Sequence, residues 1–328
     1  MTDFTRRQWL GAALAATALP LASRPAWAQE PYPSRPIKWL VPYLAGTAPD
    51  TGARLMADGV GPILGQPIVI DNRPGAGGNV GTRIVAKAPA DGYTWLYTGS
   101  PIASSMRIFK NPGYDALKDF RHVIRLTESE VALVVNAESD IQSLDDLLAR
   151  LRAQPGKLDY ASGGIGTPSH LGVEQVLAAT GTQAVNVPYK GASELVNAVL
   201  GKQVTFGMPI LSVAYPFVQS GKLRALAVSG SARNPMLPKV PTLAELGVKG
   251  VELTSWGGVS VPAGTPDAVV ERIRTAFVQA IQNPELIAKL EQQGGHVRVL
   301  DGAGFVRGIE RETQATEAMM KRIGLQPI

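Results

Sequence analysis

The sequence contains no cysteine and only three histidines, His122, His170 and His296. Without cysteine the chain forms no disulfide and offers no thiolate as a metal ligand or nucleophile. The histidines lie far apart in sequence and lack the spacing of zinc ligands on one helix, so we expect no metal site. We also expect no cofactor. The stretch GAGGNVG at 75–81 has Val80 where a dinucleotide fingerprint needs its third glycine.

An excess of one charge is also lacking. The chain has 32 basic and 27 acidic side chains, and residues 1–28 hold three arginines and one aspartate, so the remainder has 29 against 26, a net charge of +3. Without a clustered basic stripe, we expect no nucleic-acid partner. Beyond residue 28, no apolar run approaches the roughly 20 residues that span a bilayer.

The first 28 residues differ in character from the rest. Arg6 and Arg7 precede an apolar stretch at 9–21, and an A-x-A cleavage signature follows at 26–28. Because the apolar stretch is too short to span a membrane, we predict that residues 1–28 are a cleavable signal peptide and that the mature chain is periplasmic. The paired arginines are typical of twin-arginine export, but the dipeptide alone leaves the export route open.

The length of 328 residues exceeds the roughly 250–300 residues that one core usually reaches, so two domains are expected. Short apolar runs alternate with segments of helical periodicity, and this pattern restarts near residue 131. Such alternation is typical of α/β domains with a largely parallel sheet. We predict a discontinuous domain 1 at 29–130 and 254–328 and a domain 2 at 131–253. The two crossings between them form a hinge beside a ligand cleft.

The elements predicted from periodicity and turn residues are the following. Strands are expected at 37–43, 68–70, 94–98, 131–135, 158–161, 185–187, 204–208, 224–228, 256–261 and 296–299. Helices are expected after residues 47 and 82 and at 144–152, 168–179, 193–200, 267–282, 284–293 and 304–322.

Two of these helices begin in nearly the same way. LAGTAPD at 44–50 and GIGTPSH at 164–170 both place glycine and threonine ahead of the first helical turn. Thr47 and Thr167 are predicted N-caps, and Asp50 is placed to complete a capping box with Thr47. Each opening presents backbone N–H groups at the positive end of a helix, which favours anions. The alternative, that both are simply well-capped helices, stays open at this point.

These stretches resemble the solute-binding proteins of tripartite tricarboxylate transporters, the Bug or TctC family. The resemblance covers the chain after residue 28, and its motifs occur in family order. They are VPYLAGTAPDTGAR at 41–54, NRPGAGGNVGTRIVAKAPADGYTWL at 72–96, LKDFRHV at 117–123, YASGGIGTPSHL at 160–171, VPYKGASELVNAVLGKQV at 187–204, GKLRALAVSGSAR at 221–233, and VPTLAELGV and SWGGVSVPAGTP within 240–266.

The resemblance implies a two-lobed α/β periplasmic binding protein of type II, a "Venus flytrap", and not an enzyme. It implies a monomer that captures a small carboxylated ligand, such as an organic, amino or aromatic acid, and delivers it to the membrane permease subunits of a tripartite tricarboxylate transporter. Carried over by motif, the ligand-binding residues are Tyr43, Ala45, Gly46, Thr47 and Asp50 in the first lobe and Ser162, Gly166, Thr167, Ser169 and His170 in the second, with Tyr189 and Lys190 at the rim.

Some positions depart from the family pattern and leave the ligand open. Thr47 stands where the family usually has glycine, and three positions where aspartates are usual carry other residues, Asn197, Thr205 and Gly207. A ligand-sensing partner of a signalling receptor is an alternative function. An exported enzyme is a further one, but no G-x-S-x-G elbow is present, and adjacent helical residues such as Ser169 and His170 point in different directions.

Two further residues, His170 and Trp256, and one glycine-rich segment are assigned supporting roles. His170 is interpreted as a hydrogen-bonding residue behind the ligand, and Trp256 as a hinge or core residue where the chain recrosses. The glycine-rich stretch at 74–78 is interpreted as a tight turn beside the cleft.

Overall fold

Two separate β-sheets, each packed against helices, make up the computed structural model, which describes residues 31–292 and 295–328. The predicted signal peptide lies outside the described residues. Within the described part, no helix combines the length and the apolar character that crossing a membrane requires.

The strands and helices alternate along most of the chain. The strands are β1 (Ile37–Val41), β2 (Ile68–Asn72), β3 (Thr94–Gly99), β4 (Phe120–Glu130), β5 (Ala132–Asn136), β6 (Asp159–Ser162), β7 (Val185–Pro188), β8 (Phe206–Gly207), β9 (Leu223–Val228), β10 (Thr254–Pro262) and β11 (His296–Asp301). The helices are α1 (Ala48–Leu64), α2 (Asn79–Ala86), α3 (Pro101–Ile108), α4 (Leu144–Ala153), α5 (Pro168–Thr180), α6 (Ala192–Leu200), α7 (Leu211–Gln219), α8 (Asp267–Ala280), α9 (Pro284–Glu291) and α10 (Gly302–Ile323).

The first sheet combines the beginning and the end of the chain. Its strand order is β11-β4-β10-β3-β1-β2. Strand β1 is parallel to β2 and β3, whereas β10 is antiparallel to both β3 and β4, and β11 is antiparallel to β4. The apolar stripe of α1, including Ala53, Met56, Val60 and Leu64, is buried in the same core as Trp39 of β1. This burial explains the helical period seen in the sequence.

The second sheet is built from the middle of the chain, with the order β7-β6-β8-β5-β9. Strands β6, β7 and β8 are parallel to one another, and β5 is antiparallel to β8 and β9. Helix α5 is buried over much of its N-terminal half, including the polar Ser169 and His170. The start of this helix therefore lies inside the protein, where a polar group needs a partner.

The chain passes between the sheets at two points that are tied together. Strand β4 ends at Glu130 and β5 begins at Ala132, while the return ends where β10 begins at Thr254. The Ser229 hydroxyl accepts a hydrogen bond from Val131 N at 3.1 Å and donates to Leu253 O. One hydroxyl thus joins both crossings.

The expectation of largely parallel sheets was wrong, because both sheets are mixed. The antiparallel pairs arise where the chain leaves one sheet and comes back to it. The sequence also failed to predict β4, α3 and α7. In β4 the polar residues His122 and Arg125 are buried among apolar ones, which hides the alternation typical of a half-exposed strand. The strand expected at 204–208 is reduced to the two residues of β8.

Candidate ligand site

The first Gly-Thr opening forms a tight loop ahead of α1. Thr47 has extended backbone angles (φ −80°, ψ 161°), and Gly46 has a left-handed φ of +77°. The Thr47 hydroxyl does not cap the helix. It donates instead to the carbonyl oxygen of Leu44, three residues back, at 2.6 Å. The predicted capping box is therefore wrong, since the threonine folds the loop and leaves the first helical turn without a side-chain acceptor.

The second opening, ahead of α5, repeats this geometry. Thr167 has φ −75° and ψ 158°, and Gly166 has φ +82°. The Thr167 hydroxyl donates to the carbonyl oxygen of Gly164, also three residues back and also at 2.6 Å. Both threonines thus occupy the predicted N-cap position, but neither side chain caps its helix. The similarity seen in the sequence is a similarity of backbone shape.

Asp50 anchors the first loop from within α1. Its Oδ2 accepts a hydrogen bond from Gly46 N at 2.8 Å, and its carboxylate also contacts Asn72 and Arg54. The side chain is only 3% exposed. Burial acts to raise the pKa of Asp50, but the hydrogen bonds from Arg54, Gly46 and Asn72 outweigh it and hold the pKa below its usual value. Asp50 is therefore ionised and fully engaged in holding the loop.

His170 anchors the second loop in the way that Asp50 anchors the first. Gly166 N donates to His170 Nδ1 at 3.4 Å, so Gly46 and Gly166 both bond to the residue four positions on. Burial lowers the pKa of His170 more than the neighbouring Glu174 raises it. The ring is therefore neutral at pH 7, with Nδ1 as the acceptor. Ser169 adds a second anchor, because its Oγ accepts from Gly163 N at 2.8 Å.

The two loops face each other across the space between the sheets. A Cβ placed on Gly191, at the start of α6, would lie 3.5 Å from Leu44 Cδ1 and 3.9 Å from Thr47 Cγ2. The Ser104 hydroxyl of α3 donates to the Gly166 carbonyl oxygen at 2.7 Å. The two sides of the cleft are therefore joined by a direct hydrogen bond.

A cavity of about 50 Å³ lies between the loops. Four of the predicted site residues line it, namely Tyr43, Thr47, Thr167 and Ser169. The other lining residues are Pro49, Tyr97, Gly99, Pro101, Gly163, Pro168, Gly191, Ala192, Ile210, Ser255 and Trp256. At about 10–15 Å³ for the accessible volume of one water, this space holds roughly four waters or a small organic molecule.

Comparison with known proteins decides the family. The sequence profile of the tripartite tricarboxylate transporter family receptor, TctC, matches residues 52–325. The chain belongs to this family. Protein BugT of Bordetella pertussis is 35% identical to it over 265 residues, which is 80% of this chain and 81% of BugT.

Solved structures of similar proteins show the same two-lobed fold. The periplasmic binding protein BugD matches with a TM-score of 0.86 at 30% identity, over 90% of this chain and 100% of its own. Rpa4515 of R. palustris with adipate gives 0.87 at 32% identity and the same coverage. MatC of Rhodopseudomonas palustris with bound malate gives 0.83 at 27% identity, over 88% and 99%. The predicted family and fold class are confirmed, and these relatives are binding proteins.

The remaining predicted residues of this TctC protein lie around the cavity without lining it. Ala45 and Gly46 are exposed on the first loop, and Ser162 is fully buried at the end of β6. Asp50 and His170 act on the loop backbones as described. Tyr189 and Lys190 lie in an adjoining groove that also includes Tyr43, Thr167 and the turn at 74–78. A Cβ on Gly77 of this turn would meet the Ile165 carbonyl oxygen at 3.0 Å, so the turn does border the cleft.

Sequence reasoning missed the part of the cavity wall that comes from the first sheet and the hinge. Tyr97 and Gly99 come from the end of β3, Ser255 and Trp256 from the start of β10, and Ile210 from the segment before α7. Trp256 is buried, as the core interpretation required, but it also lines the cavity. The motif SWGG marked the segment, but only the pairing of β10 beside β3 brings these residues to the loops.

The cavity offers neutral donors. None of its described lining residues carries a charged side chain. Burial raises the pKa of Tyr97 to about 12 and that of Tyr43 well above its usual value, so both hydroxyls stay protonated. An anion in this space would meet two helix N-termini and several hydroxyl groups. Within the described residues, no group of three or more histidine, aspartate or glutamate side chains is placed to hold a metal ion.

Proposed function

We propose that this protein captures a small carboxylated metabolite in the cavity between its two Gly-Thr loops and delivers it to the permease subunits of a tripartite tricarboxylate-type membrane transporter. The observation that carries the proposal is the pair of matching loops. Each leaves the first turn of a helix without a side-chain cap, and each faces a closed cavity lined without charge. Backbone amides and helix dipoles would then hold the carboxylate groups.

The relatives support the class of ligand. Rpa4515 was solved with adipate and MatC with malate, and both are small dicarboxylates. The size of the cavity agrees with a ligand of that kind. Membership of the transporter receptor family supports delivery to a permease.

The cellular location belongs to the same proposal. Capture for a membrane transporter requires an exported protein, and the cleavage signature at 26–28 supplies the signal. The mature monomer would begin at Gln29, as N-terminal sequencing of periplasmic protein would show. Its domains would be residues 29–130 with 254–328, and residues 131–253, moving about the hinge at Ser229.

The test is calorimetric titration with malate, adipate and a panel of other mono-, di- and tricarboxylates. We expect at least one to bind the wild type. Gly191→Leu should weaken that binding at least tenfold, about 1.4 kcal/mol, because its backbone is already extended (φ 174°) and the new side chain would project towards Thr47.

Lys157→Ala is the control. Lys157 is exposed in the same lobe and lines neither the cavity nor the adjoining groove, so its removal should change affinity less than threefold, about 0.6 kcal/mol. Wild-type affinity in a folded Gly191→Leu variant would place the ligand elsewhere. Failure of every carboxylate to bind would remove the proposed ligand class.

A further inference from the structure

Trp256 connects the ligand cavity to a partly buried carboxyl group, that of Glu312. One part of this tryptophan lines the cavity, and the residue is 3% exposed. Its indole Nε1 donates a hydrogen bond to Oε1 of Glu312, on α10. The ring is also held edge-on against Phe305, with the centroids 5.1 Å apart. Glu312 is therefore joined by one hydrogen bond to a residue of the cavity wall.

The charges around Glu312 are few. Arg125 of β4 is the nearest buried cation, but it is shared, because it forms an ion pair with Glu128 and lies 5.5 Å from the centroid of the Trp256 ring. Arg311, next to Glu312 on α10, is exposed. Glu312 also borders a second cavity, to which α3 contributes Ser104, the segment just before α3 contributes Ser100, α5 contributes Gln175, and the segment before β10 contributes Glu252.

This environment places the titration of Glu312 in the physiological range. Burial raises its pKa to about 7, although the Trp256 hydrogen bond and the charges of Arg125 and Arg311 act to lower it. Glu128 acts in the same direction as burial. The ionised and protonated forms are therefore both populated near neutral pH.

We propose that Glu312 couples ligand binding to proton uptake, taking up a proton when a carboxylate occupies the cavity in front of Trp256. The coupling rests on the proposed function above. An anion in the cavity repels an ionised Glu312, and because this carboxyl group is partly buried and bonded to Trp256 of the cavity wall, water screens the repulsion only in part. By thermodynamic reciprocity, protonation of Glu312 must then tighten the binding of the anion by the same factor.

The direction of the pH dependence of ligand affinity follows from this repulsion. A bound anion raises the pKa of Glu312 further, so affinity increases as the pH falls through the neutral range and levels off once Glu312 is protonated. Glu312 accepts from Trp256 Nε1 in both protonation states, so the indole stays in place and the effect is one of charge. Glu312 is thus a positioning residue for Trp256 and an electrostatic partner of the ligand.

Glu312→Gln separates these two roles. The amide oxygen can still accept the Trp256 hydrogen bond, and the side chain is neutral at every pH. The matched control is Glu310→Gln, which removes a carboxylate from an exposed position on the same helix. Titrations between pH 6.5 and 8.5 cover the range around the pKa of Glu312, and any pH dependence that remains in Glu312→Gln reports other groups such as His170, whose pKa burial lowers.

Calorimetry with malate and adipate provides the measurement. For the wild type and Glu310→Gln, we expect affinity to rise about tenfold from pH 8.5 to 6.5. Comparison of buffers with different ionisation enthalpies should show uptake of roughly 0.4 proton per bound ligand at pH 7. Glu312→Gln should bind with the affinity that the wild type reaches at low pH, throughout the range and without proton uptake.

A measurement without ligand gives an independent check. The NMR signal of the Trp256 indole N–H can be assigned with Trp256→Phe. Its chemical shift should change with pH in the wild type, with a midpoint near pH 7, and should not change in Glu312→Gln.

Two results would overturn the coupling while leaving the proposed function intact: a wild-type indole signal that does not titrate, or a Glu312→Gln variant with the same pH profile as the wild type. Failure of both acids to bind at any pH would count against the proposed function and overturn the coupling with it.

Discussion

The two Gly-Thr loops have the same backbone shape but are anchored by different chemistry. Both place glycine at a left-handed φ and fold the threonine hydroxyl back onto a carbonyl. The first loop is held by the ionised, buried Asp50 with Arg54 beside it, and the second by the neutral His170 and by Ser169. A loop that presents amides to an anion can therefore be fixed from behind by either a charge or a neutral acceptor.

The difference also affects how firmly each loop is held. The Gly46 amide reaches Asp50 at 2.8 Å, whereas the Gly166 amide reaches His170 at 3.4 Å. Bonds to charged acceptors are shorter and stronger than neutral ones. The second loop compensates with contacts to the other side of the cleft, including the hydrogen bond from Ser104 to the Gly166 carbonyl oxygen. We therefore expect the first loop to depend on its anchor and the second on closure.

The largest expected effect comes from removing the anchors. Asp50→Ala leaves the Gly46 amide and Asn72 without their acceptor and should lower the free energy of unfolding by about 3 kcal/mol. His170→Ala removes one long neutral hydrogen bond and some packing and should lower it by roughly 1–2 kcal/mol. Urea unfolding measures both.

Asp58→Ala is the control for this comparison. Asp58 is exposed on the same helix as Asp50, and its loss should change stability by less than about 0.5 kcal/mol. Equal losses for Asp50→Ala and His170→Ala would mean that the charge of the first anchor adds nothing to its strength.

Alanine at the two glycines should produce an intermediate effect and sharpen the comparison. In Gly46→Ala the new Cβ meets no atom within 4 Å. Only the left-handed backbone conformation is unfavourable for alanine, and it should lower the free energy of unfolding by about 1 kcal/mol. At Gly166 the new Cβ would also lie 3.1 Å from Ile108 Cδ1, so Gly166→Ala should lower the free energy of unfolding by about 2 kcal/mol.

Gly52→Ala in α1 provides the reference for the glycine variants. It has helical geometry and free space around the Cβ, so alanine should raise stability by roughly 0.5 kcal/mol in the same unfolding assay. If Gly46→Ala proved as stabilising as Gly52→Ala, the left-handed conformation of the first loop would be contradicted.

The smallest expected effect comes from the threonine hydroxyls. Thr47→Ala and Thr167→Ala should each lower the free energy of unfolding by about 1 kcal/mol, because each removes one hydrogen bond to a carbonyl three residues back. Thr167→Ala should have the slightly larger effect, since Thr167 also bonds to Ser169, which holds Gly163. Thr47→Ser and Thr167→Ser keep the hydroxyl and should stay near wild type. A loss in the serine variants as large as in the alanine variants would assign the effect to the methyl group.

Much of the fold was predictable because the burial of one face of a helix or strand produces a periodic pattern of apolar residues in the sequence. The stripe Ala53, Met56, Ala57, Val60 and Leu64 identified α1, and every member of it is buried. The residues of β4 show no such periodic pattern. His122 is buried in that strand with both ring nitrogens bonded, to Ser260 Oγ and to the Ala116 carbonyl oxygen, both at 2.8 Å. A buried polar residue whose partners are distant in sequence cannot be recognised from local pattern.

The residues of the candidate site also fall into a part that the sequence indicated and a part that it did not. The sequence predicted two similar helix starts as a ligand site, and four of the predicted residues, Tyr43, Thr47, Thr167 and Ser169, line the cavity. It assigned Asp50 a capping box with Thr47, but the Thr47 N–H donates to the Leu44 carbonyl oxygen, and the Asp50 carboxylate accepts from Gly46 N instead. The contribution of Tyr97, Ser255 and Trp256 could not be predicted, since it depends on the pairing of β10 with β3.

The sequence by itself determined the family, through motifs spread along the chain, and the alternation of strands and helices, because the burial of one face of each element sets a local period. The tertiary structure decided that the loops face each other, that the wall between them is uncharged, and that a carboxyl group on α10 is bonded to Trp256. These features join residues that are distant in sequence, such as Ser104 and Gly166, 62 positions apart, and only the packing of the sheets and helices brings such residues together.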